Sequence, residues 1–192
     1  MITSNYTPRP GPTAFMIVFN GSFTVGQAIR NALKAVNCMV VVEGAVERIA
    51  HLSYLGRSTD GTNAILDQLV SEFPERVCVI RNEHAWKDKL EMCNAALTMC
   101  LPGLLWQIDC DEFYHPEEMV RIHEAMDHNE WVTEAEFWAY HFYGGFEKHT
   151  AIDHRWGNDP PWRRLFRWNG EPWVSHAPPR LDRAELIMDR NS

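Results

Sequence analysis

Four short apolar runs, each followed by a segment of different periodicity, constrain the fold more than any other feature of this sequence. The runs cover residues 14–19, 38–42, 77–80 and 104–108. Strands without polar alternation are buried on both faces, which is typical of a parallel sheet covered by helices on both sides. The sequence therefore predicts a layered α/β fold with a mainly parallel central sheet.

The segments between the runs carry apolar residues at helical spacing. Thr24 and Gln27 form a possible capping box for the first helix, and residues 60–62 can cap the second, which Pro74 should end. A third helix is predicted between the third and fourth runs. Pro116 suits the first turn of a fourth helix. Strands and helices thus alternate through the first two thirds of the chain.

Beyond Asn129 the pattern changes to aromatic-rich alternating segments with Gly and Pro between them, which indicates strands and turns on the same sheet. Neither a repeat nor a linker is evident in the sequence. We therefore expect one domain over residues 1–192, with one half at about 14–126 and the other at about 130–180.

Charge and composition exclude several classes of protein. With 18 basic and 26 acidic residues, the net charge of −8 disfavours binding to nucleic acid. No apolar run approaches the roughly 20 residues that span a bilayer, and the first residues do not resemble a signal peptide, so we expect a cytoplasmic protein. The 5 cysteines include no CxxC pair and are predicted to be free thiols.

The fourth apolar run ends in the acidic stretch "LLWQIDCDEFYHP", where Asp109, Asp111 and Glu112 follow a buried strand. Ligands of parallel sheets bind beyond the carboxyl ends of the strands, and this cluster lies there. Hard cations such as Mg²⁺ and Mn²⁺ accept carboxylate oxygens together with phosphates and waters. The alternative is a solvated loop that begins the next helix.

This stretch resembles the DxD element of GT-A glycosyltransferases, in particular the family-2-like enzymes that use nucleotide sugars. Three further stretches follow the family's order: "IVFNGSFTVGQAIRNAL", "STDGT" and "WKDKLEMCNAAL". The resemblance covers residues 14–126 and implies a GT-A fold. The resemblance implies that residues 14–126 form the nucleotide-sugar binding half. Residues 130–180 would form the acceptor side and carry a late metal-binding segment.

The resemblance also implies residue roles around a Mn²⁺ or Mg²⁺ ion. Asp111 would be the main ligand of the metal, which bridges the two phosphates of the donor, and Asp109 would lie near the ribose or the metal. His176, from the late part of the chain, would be a further metal ligand. Phe19 and Asn20 would line the nucleoside site.

Glu43 would contact the base or ribose of the nucleoside. The sequence departs from the family here, because "VERIAHLSYLGR" at residues 46–57 separates Glu43 from the "STDGT" turn. The alternative for Glu43 is a surface carboxylate in a loop.

Basic residues are available for the donor phosphates. Lys89, or Lys87, could contact a phosphate, although a lysine on a helix is more often in solvent. Arg163, in a cluster with Arg164 and Arg167, could pair with a phosphate or with the excess carboxylates.

The catalytic residues are predicted as Asp111, Glu134 and Asp153. An inverting transferase needs a carboxylate near the acceptor hydroxyl, and Glu136 and Asp159 are also available for that role. A retaining reaction would need no such base, so both outcomes remain open.

We thus expect a metal-dependent glycosyltransferase that transfers a sugar from a nucleoside diphosphate sugar, with UDP as the first choice, to a glycan or other hydroxyl acceptor. One alternative is a nucleotidyltransferase, although the sequence lacks a Gly-rich loop with Arg and Lys after its first strand. The other is a non-catalytic carbohydrate-binding protein that uses the aromatic second half.

Overall fold

The computed structural model describes residues 6–139, 142, 162–176 and 179–181, and shows an α/β fold. Its strands are β1 (Thr13–Val18), β2 (Cys38–Glu43), β3 (Val77–Arg81), β4 (Gly103–Gln107), β5 (Glu134–Phe137), β6 (Trp162–Trp168), β7 (Trp173–His176) and β8 (Pro179–Leu181). Its helices are α1 (Val25–Ala32), α2 (Thr62–Glu72), α3 (Lys89–Leu97) and α4 (Pro116–Asp127), with a short 3-10 helix at Glu47–Leu52.

Six strands form the central sheet in the order β3-β2-β1-β4-β6-β5. The first four strands are mutually parallel, and β6 runs antiparallel to both β4 and β5. The predicted α/β class with a mainly parallel sheet is confirmed. The carboxyl ends of β1, β2 and β4 therefore lie side by side at one edge of the layer.

Two apolar layers cover the sheet. Residues such as Met16, Val41 and Trp106 face helices α1, α2 and α4, whereas their neighbours Phe15, Val40 and Leu105 face α3. Both sets are buried, as expected for strands between two helical layers.

The N-terminal caps of the helices match the predictions from the sequence in part. Asp60 caps the turn before α2, where its Oδ1 accepts hydrogen bonds from the Thr62 backbone N–H and hydroxyl. Asp88 caps α3 by accepting from the Glu91 backbone N–H. The predicted capping box at α1 does not form, since Thr24 makes no side-chain cap hydrogen bond.

The second half joins the sheet only in part. Strands β5 and β6 extend the central sheet, but β7 pairs with β8 in a separate two-stranded sheet, which corrects the prediction of a single sheet. Trp173, 2% exposed, packs edge-on against Phe15 and Phe166 on the α3 face. Asn94 of α3 fixes the start of β7, because its side chain exchanges two hydrogen bonds with the Trp173 backbone.

The cysteines are free thiols, as predicted, and four of them are buried. Within the described part of the chain, none of the helices combines the length and apolar character needed to cross a bilayer.

Candidate active site

A cavity of about 390 Å³ opens at the carboxyl edge of the sheet. Its lining comes from the end of β1, the segment after β2, helix α3 and the loop after β4. The described lining residues are Ile17, Val18, Phe19, Gly44, Val46, Ile49, Lys89, Met92, Asp109, Cys110 and Asp111. The sheet topology thus brings together groups that are about 90 residues apart in sequence.

The predicted carboxylates Asp109 and Asp111 both line this cavity. Asp111 is exposed, and its carboxylate makes neither a hydrogen bond nor an ion pair with any residue that the structure describes. Asp109 is different, because its side chain is 34% exposed and its Oδ2 lies 2.8 Å from Arg164 Nη2. Of the two, Asp111 therefore has the carboxylate that is available to a ligand.

Arg164 is the residue that organises the acidic cluster. Its side chain is only 4% exposed, and its Nη2 also lies 2.6 Å from Glu112 Oε1. Its Nε donates to both oxygens of Glu112, at 3.0 and 3.1 Å. The ring of Trp162 lies 4.9 Å from the guanidinium carbon, close enough for a cation–π contact. One cation thus compensates two of the three carboxylates.

Burial sets the electrostatics of this group. It raises the pKa of Glu112, and the hydrogen bonds from Arg164 oppose that shift. Burial also lowers the pKa of Arg164, but the hydrogen bond to Glu112 and the charges of Asp109 and Glu112 outweigh it, so the net shift is upward. Arg164 is therefore a permanent cation beside the cavity.

His176 lies next to the same group on the α3 face of the sheet. Its Nε2 is 3.4 Å from Gln107 Nε2, and Gln107 is 2% exposed. Burial lowers the pKa of His176, and the positive charges of Lys89 and Arg164 lower it further against the opposing charge of Asp109. The imidazole is therefore neutral at pH 7, the form that can ligate a metal. His176 therefore lies within electrostatic reach of Lys89 and Asp109, and its role as a metal ligand stays a prediction.

Glu43 is fully buried, so the alternative of a surface carboxylate is wrong. Its Oε2 accepts from Arg57 Nε at 2.6 Å, and its Oε1 accepts from the Ser58 backbone N–H at 2.7 Å. Arg57 and Ser58 both belong to the segment that separates β2 from α2. Both oxygens of the carboxylate are thus bonded within the protein, and Glu43 is not among the described lining residues.

Phe19 and Asn20 occupy different positions at the end of β1. Phe19 lines the cavity, and its contact with a nucleoside stays a prediction. Asn20 has a left-handed φ of 52°, and its side-chain oxygen accepts from the Thr59 backbone N–H. Asn20 therefore holds the two loops together in this structure.

Arg163 lies with β5 and not with the acidic cluster. Its Nε is 2.9 Å from Glu136 Oε1 and 3.4 Å from Glu134 Oε1. Successive strand residues point to opposite faces, so Arg163 and Arg164 cannot both reach Asp109. Arg163 thus pairs with carboxylates, which is the alternative given for it, and its neighbour Arg164 is the arginine that contacts Asp109. Asp153, the other predicted base, lies outside the described residues.

Sequence reasoning missed Arg164 and Gln107. In the strand sequence "WRRLFRW", alternate residues lie on the same face, so Arg164 is on the face of Phe166 and Trp168. Phe166 and Trp168 pack on the α3 face, and this was the signal that could have identified Arg164. Gln107 lies two residues before Asp109, which is the spacing of side chains on the same face of an extended chain. Neither assignment was possible without knowing which face of the sheet carries the cavity.

A metal ion fits this site only with ligands from outside the protein. The described residues contain no group of three His, Cys, Asp or Glu that could hold a metal. Asp111 and Asp109 both line the cavity, and their carboxylate oxygens are donors of the kind that hard divalent ions accept. Mg²⁺ and Mn²⁺ commonly take one or two carboxylates and complete their shell with phosphate oxygens and waters. The donor set therefore suits a metal that binds together with a phosphate ligand.

Comparison with known proteins identifies a family. The family model described as Glycosyl transferase family 2 matches residues 13–186 of this chain. Comparison with curated proteins finds no match.

Two solved structures are similar in fold. The mannosyltransferase PcManGT from Pyrobaculum calidifontis, in complex with GDP-Man and Mn²⁺, is 16% identical with a TM-score of 0.52, over 71% of this chain and 39% of that one. S. aureus TarS 1–349, in complex with UDP-GlcNAc, is 14% identical with a TM-score of 0.50, over 73% of this chain and 36% of that one. This chain thus spans well under half the length of either, and the likeness concerns the fold alone.

Proposed function

Because this chain belongs to glycosyl transferase family 2, we propose that it transfers a sugar from a nucleoside diphosphate sugar to a hydroxyl acceptor. The reaction uses Mn²⁺ or Mg²⁺ bound at Asp111. The observation that carries the proposal is the difference between the two cavity carboxylates: Asp109 is paired with Arg164, and Asp111 is unpaired among the described residues. A carboxylate that the fold leaves free beside a cavity is available to a cation on the donor.

The chemistry requires charge stabilisation on the leaving group. As the glycosidic bond breaks, negative charge grows on the nucleoside diphosphate, and a divalent ion supplies Lewis-acid stabilisation there. Asp111, Asp109 and His176 are the residues that would hold the ion. Lys89 lines the cavity with an exposed side chain and would contact a phosphate oxygen. Arg164 would fix the carboxylates of Asp109 and Glu112 in position through its ion pairs with both.

The donor proposed first is a uridine diphosphate sugar. The similar-fold TarS structure holds UDP-GlcNAc, which supports uridine as the first choice, and PcManGT holds GDP-Man, which makes guanosine the second. Phe19 and the apolar lining around it would receive the nucleoside.

The acceptor side belongs to the second half of the chain. An inverting transfer needs a carboxylate that takes the proton of the acceptor hydroxyl. Glu134 and Asp153 remain our candidates, and Arg163 lies beside Glu134 at 3.4 Å. The exposed ring of Trp138 offers an apolar face of the kind on which sugars stack.

Product analysis tests this function. The protein is incubated with Mn²⁺ and a panel of UDP-, GDP-, ADP- and CDP-sugars, first alone and then with a glycan library, and the released nucleotide is identified. We expect nucleoside diphosphate from at least one donor, more slowly or not at all when EDTA replaces Mn²⁺. Pyrophosphate as the product would identify a nucleotidyltransferase. Metal-independent binding of free glycan without release of nucleotide would identify a carbohydrate-binding protein.

A further inference from the structure

Gln107 is a polar side chain within an apolar layer. It is the last residue of β4, it is only 2% exposed, and it lies beside Phe15 of the neighbouring strand β1. Leu105, two residues earlier on the same strand, is also buried and packs on the α3 face. Burying an amide costs free energy unless its oxygen and its nitrogen make hydrogen bonds inside the protein. The partners of this amide therefore show what it does.

Only one of the two polar atoms of the amide has a partner. Gln107 Nε2 lies 3.4 Å from His176 Nε2, whereas Gln107 Oε1 is buried without a hydrogen-bond partner among the described residues. An amide nitrogen donates and cannot accept, so His176 Nε2 accepts in this arrangement, and the proton of the neutral ring is then on Nδ1. In this tautomer neither ring nitrogen has a lone pair free for a metal ion.

The position of His176 over Gln107 is set by strand β7. The first residue of β7, Trp173, packs edge-on against Phe15 and exchanges two hydrogen bonds with the side chain of Asn94. His176 is the last residue of the same strand. A ligand that approached His176 Nε2 would displace Gln107, but Nδ1 makes no hydrogen bond with a described residue. Nδ1 is therefore the ring nitrogen that is accessible to a ligand.

Rotation of the amide by about 180° would exchange the positions of its oxygen and nitrogen, and the last torsion of a glutamine side chain permits both orientations. Gln107 Oε1 would then accept a hydrogen bond from His176 Nε2–H, and the lone pair of the ring would lie on Nδ1. An imidazole that binds a metal commonly donates its other N–H to an oxygen in this way. The buried, unpartnered Oε1 is the acceptor that this second arrangement needs.

We propose that Gln107 is a positioning residue that sets the tautomer of His176. Its amide nitrogen donates to His176 Nε2 in the free protein, and its amide oxygen accepts from Nε2–H when a metal and a nucleoside diphosphate are bound. The ring stays neutral, because one proton leaves Nδ1 and one is taken up at Nε2. Gln107 is not among the described lining residues of the cavity, so it acts on the ligand through His176. This inference rests on the proposed function, since it assumes a metal-bound donor at His176.

NMR spectra that correlate ring protons with ring nitrogens test the tautomer directly, at pH 8. The chain has 9 histidines, and the signals of His176 are assigned by their loss in His176→Ala. Wild type is measured alone and then with UDP and Mg²⁺, which is diamagnetic and does not broaden the signals as Mn²⁺ does. If UDP does not bind, the tightest of GDP, ADP and CDP replaces it. We expect the proton on Nδ1 in the free protein and on Nε2 in the complex.

Calorimetry of Gln107→Met tests the role of the amide in binding. We expect the affinity for UDP with Mg²⁺ to fall about 10-fold, as when the hydrogen-bond partner of a metal ligand is lost. The melting temperature should not fall, because the variant also removes a buried oxygen that has no described partner. Leu105→Met is the matched control, since it changes the packing of the same face of β4 without changing a side-chain hydrogen bond, and it should bind within twofold of wild type.

A double-mutant cycle separates a positioning role from a structural one. In the His176→Ala background, Gln107→Met should change the affinity less than twofold, because the residue through which Gln107 acts is gone. An equal loss with and without His176 would show that Gln107 supports the site independently and would overturn the proposal. Wild-type affinity in Gln107→Met would overturn it as well.

The NMR result decides the proposal without any variant of Gln107. A proton on the same ring nitrogen of His176 in the free protein and in the complex would overturn the change of tautomer. If wild type binds no nucleoside diphosphate in the presence of a divalent metal, this inference and the proposed function both fail. Metal-assisted binding with an unchanged tautomer defeats this inference only.

Discussion

Arg164 of β6 and Asp109 in the loop after β4 are 55 residues apart in sequence, and their side chains meet at 2.8 Å. The same guanidinium holds Glu112 at 2.6 Å, so the acidic cluster contains its own counter-ion. This explains how the chain can place three carboxylates at the end of a buried strand. Two are compensated inside the protein, and Asp111 lines the cavity without a charge-compensating partner among the described residues.

Replacing Arg164 should destabilise the protein more than replacing its neighbour. Arg164→Met leaves Asp109 and Glu112 unpaired, and we expect the free energy of unfolding to fall by about 2–4 kcal/mol, near the lower end for a broken buried pair because both carboxylates are partly exposed. Arg163→Met is the matched control. The Arg163 side chain is itself 36% exposed, whereas that of Arg164 is 4% exposed, so solvent screens its pairs and its loss should be about 1 kcal/mol or less.

Urea unfolding at pH 7 measures both values. Equal losses in the two variants would contradict the organising role of Arg164. Arg164→Lys should recover only part of the stability, because an ammonium cannot reproduce the fork that binds both carboxylates.

Glu43→Gln should separate stability from ligand binding. The amide can keep one hydrogen bond but loses the charge that pairs with Arg57, so unfolding should become easier by about 1.5–3 kcal/mol. Glu47→Gln, an exposed change in the same segment, should stay within about 0.5 kcal/mol. In folded Glu43→Gln at low temperature we expect nucleotide affinity close to wild type. A large loss of affinity without a loss of stability would return Glu43 to the nucleoside site.

His123 should make stability depend on pH. Its Nε2 accepts a hydrogen bond from Trp106 Nε1 at 2.6 Å inside the core, and burial lowers its pKa against the opposing charge of Asp127. Between the ordinary value near 6.5 and the lowered folded value, the unfolded state binds more protons. Stability from this group is therefore present above about pH 6.5 and is lost as the pH falls through the folded pKa.

Thermal unfolding at pH 7.5 and pH 5.5 checks this prediction. His123→Gln can still accept from the indole but does not titrate, so its melting temperature should drop less than that of wild type between the two values. The burial-lowered pKa of His176 acts in the same direction and leaves a residual slope in the variant. An unchanged slope in His123→Gln would show that the histidine is already solvated.

The order and type of the strands and helices in the first 127 residues could be predicted from the sequence, because each buried strand is a continuous apolar run and each helix has one apolar face. The Asp109–Asp111 pair could be placed for the same reason, since the strand before it fixes its position at the edge of the sheet. These are local patterns, read over ten or fewer residues.

The partners of those residues could not be predicted. Whether Arg163 or Arg164 reaches Asp109 depends on which face of the sheet each side chain lies on, and that is set by the long-range pairing of β6 with β4. Glu43 is similar: its sequence neighbours suggest a loop, but Arg57 and Ser58 fold back over it from 14 and 15 residues away. The contact of Asn94 with the start of β7, which is 79 residues further along the chain, is likewise not encoded in any local periodicity.

The most direct test of the account is the affinity for UDP measured by calorimetry with Mn²⁺ and with EDTA, in wild type and in Asp111→Asn. If UDP does not bind, the tightest nucleoside diphosphate of the panel takes its place. Asp127→Asn, at the end of α4, is the control for the same chemical change outside the cavity. We expect Mn²⁺ to increase the affinity at least about tenfold in wild type and in Asp127→Asn. In Asp111→Asn this increase should disappear, while the melting temperature of the variant stays unchanged. Equal affinity with Mn²⁺ and EDTA in wild type, or a full gain in Asp111→Asn, would contradict the account.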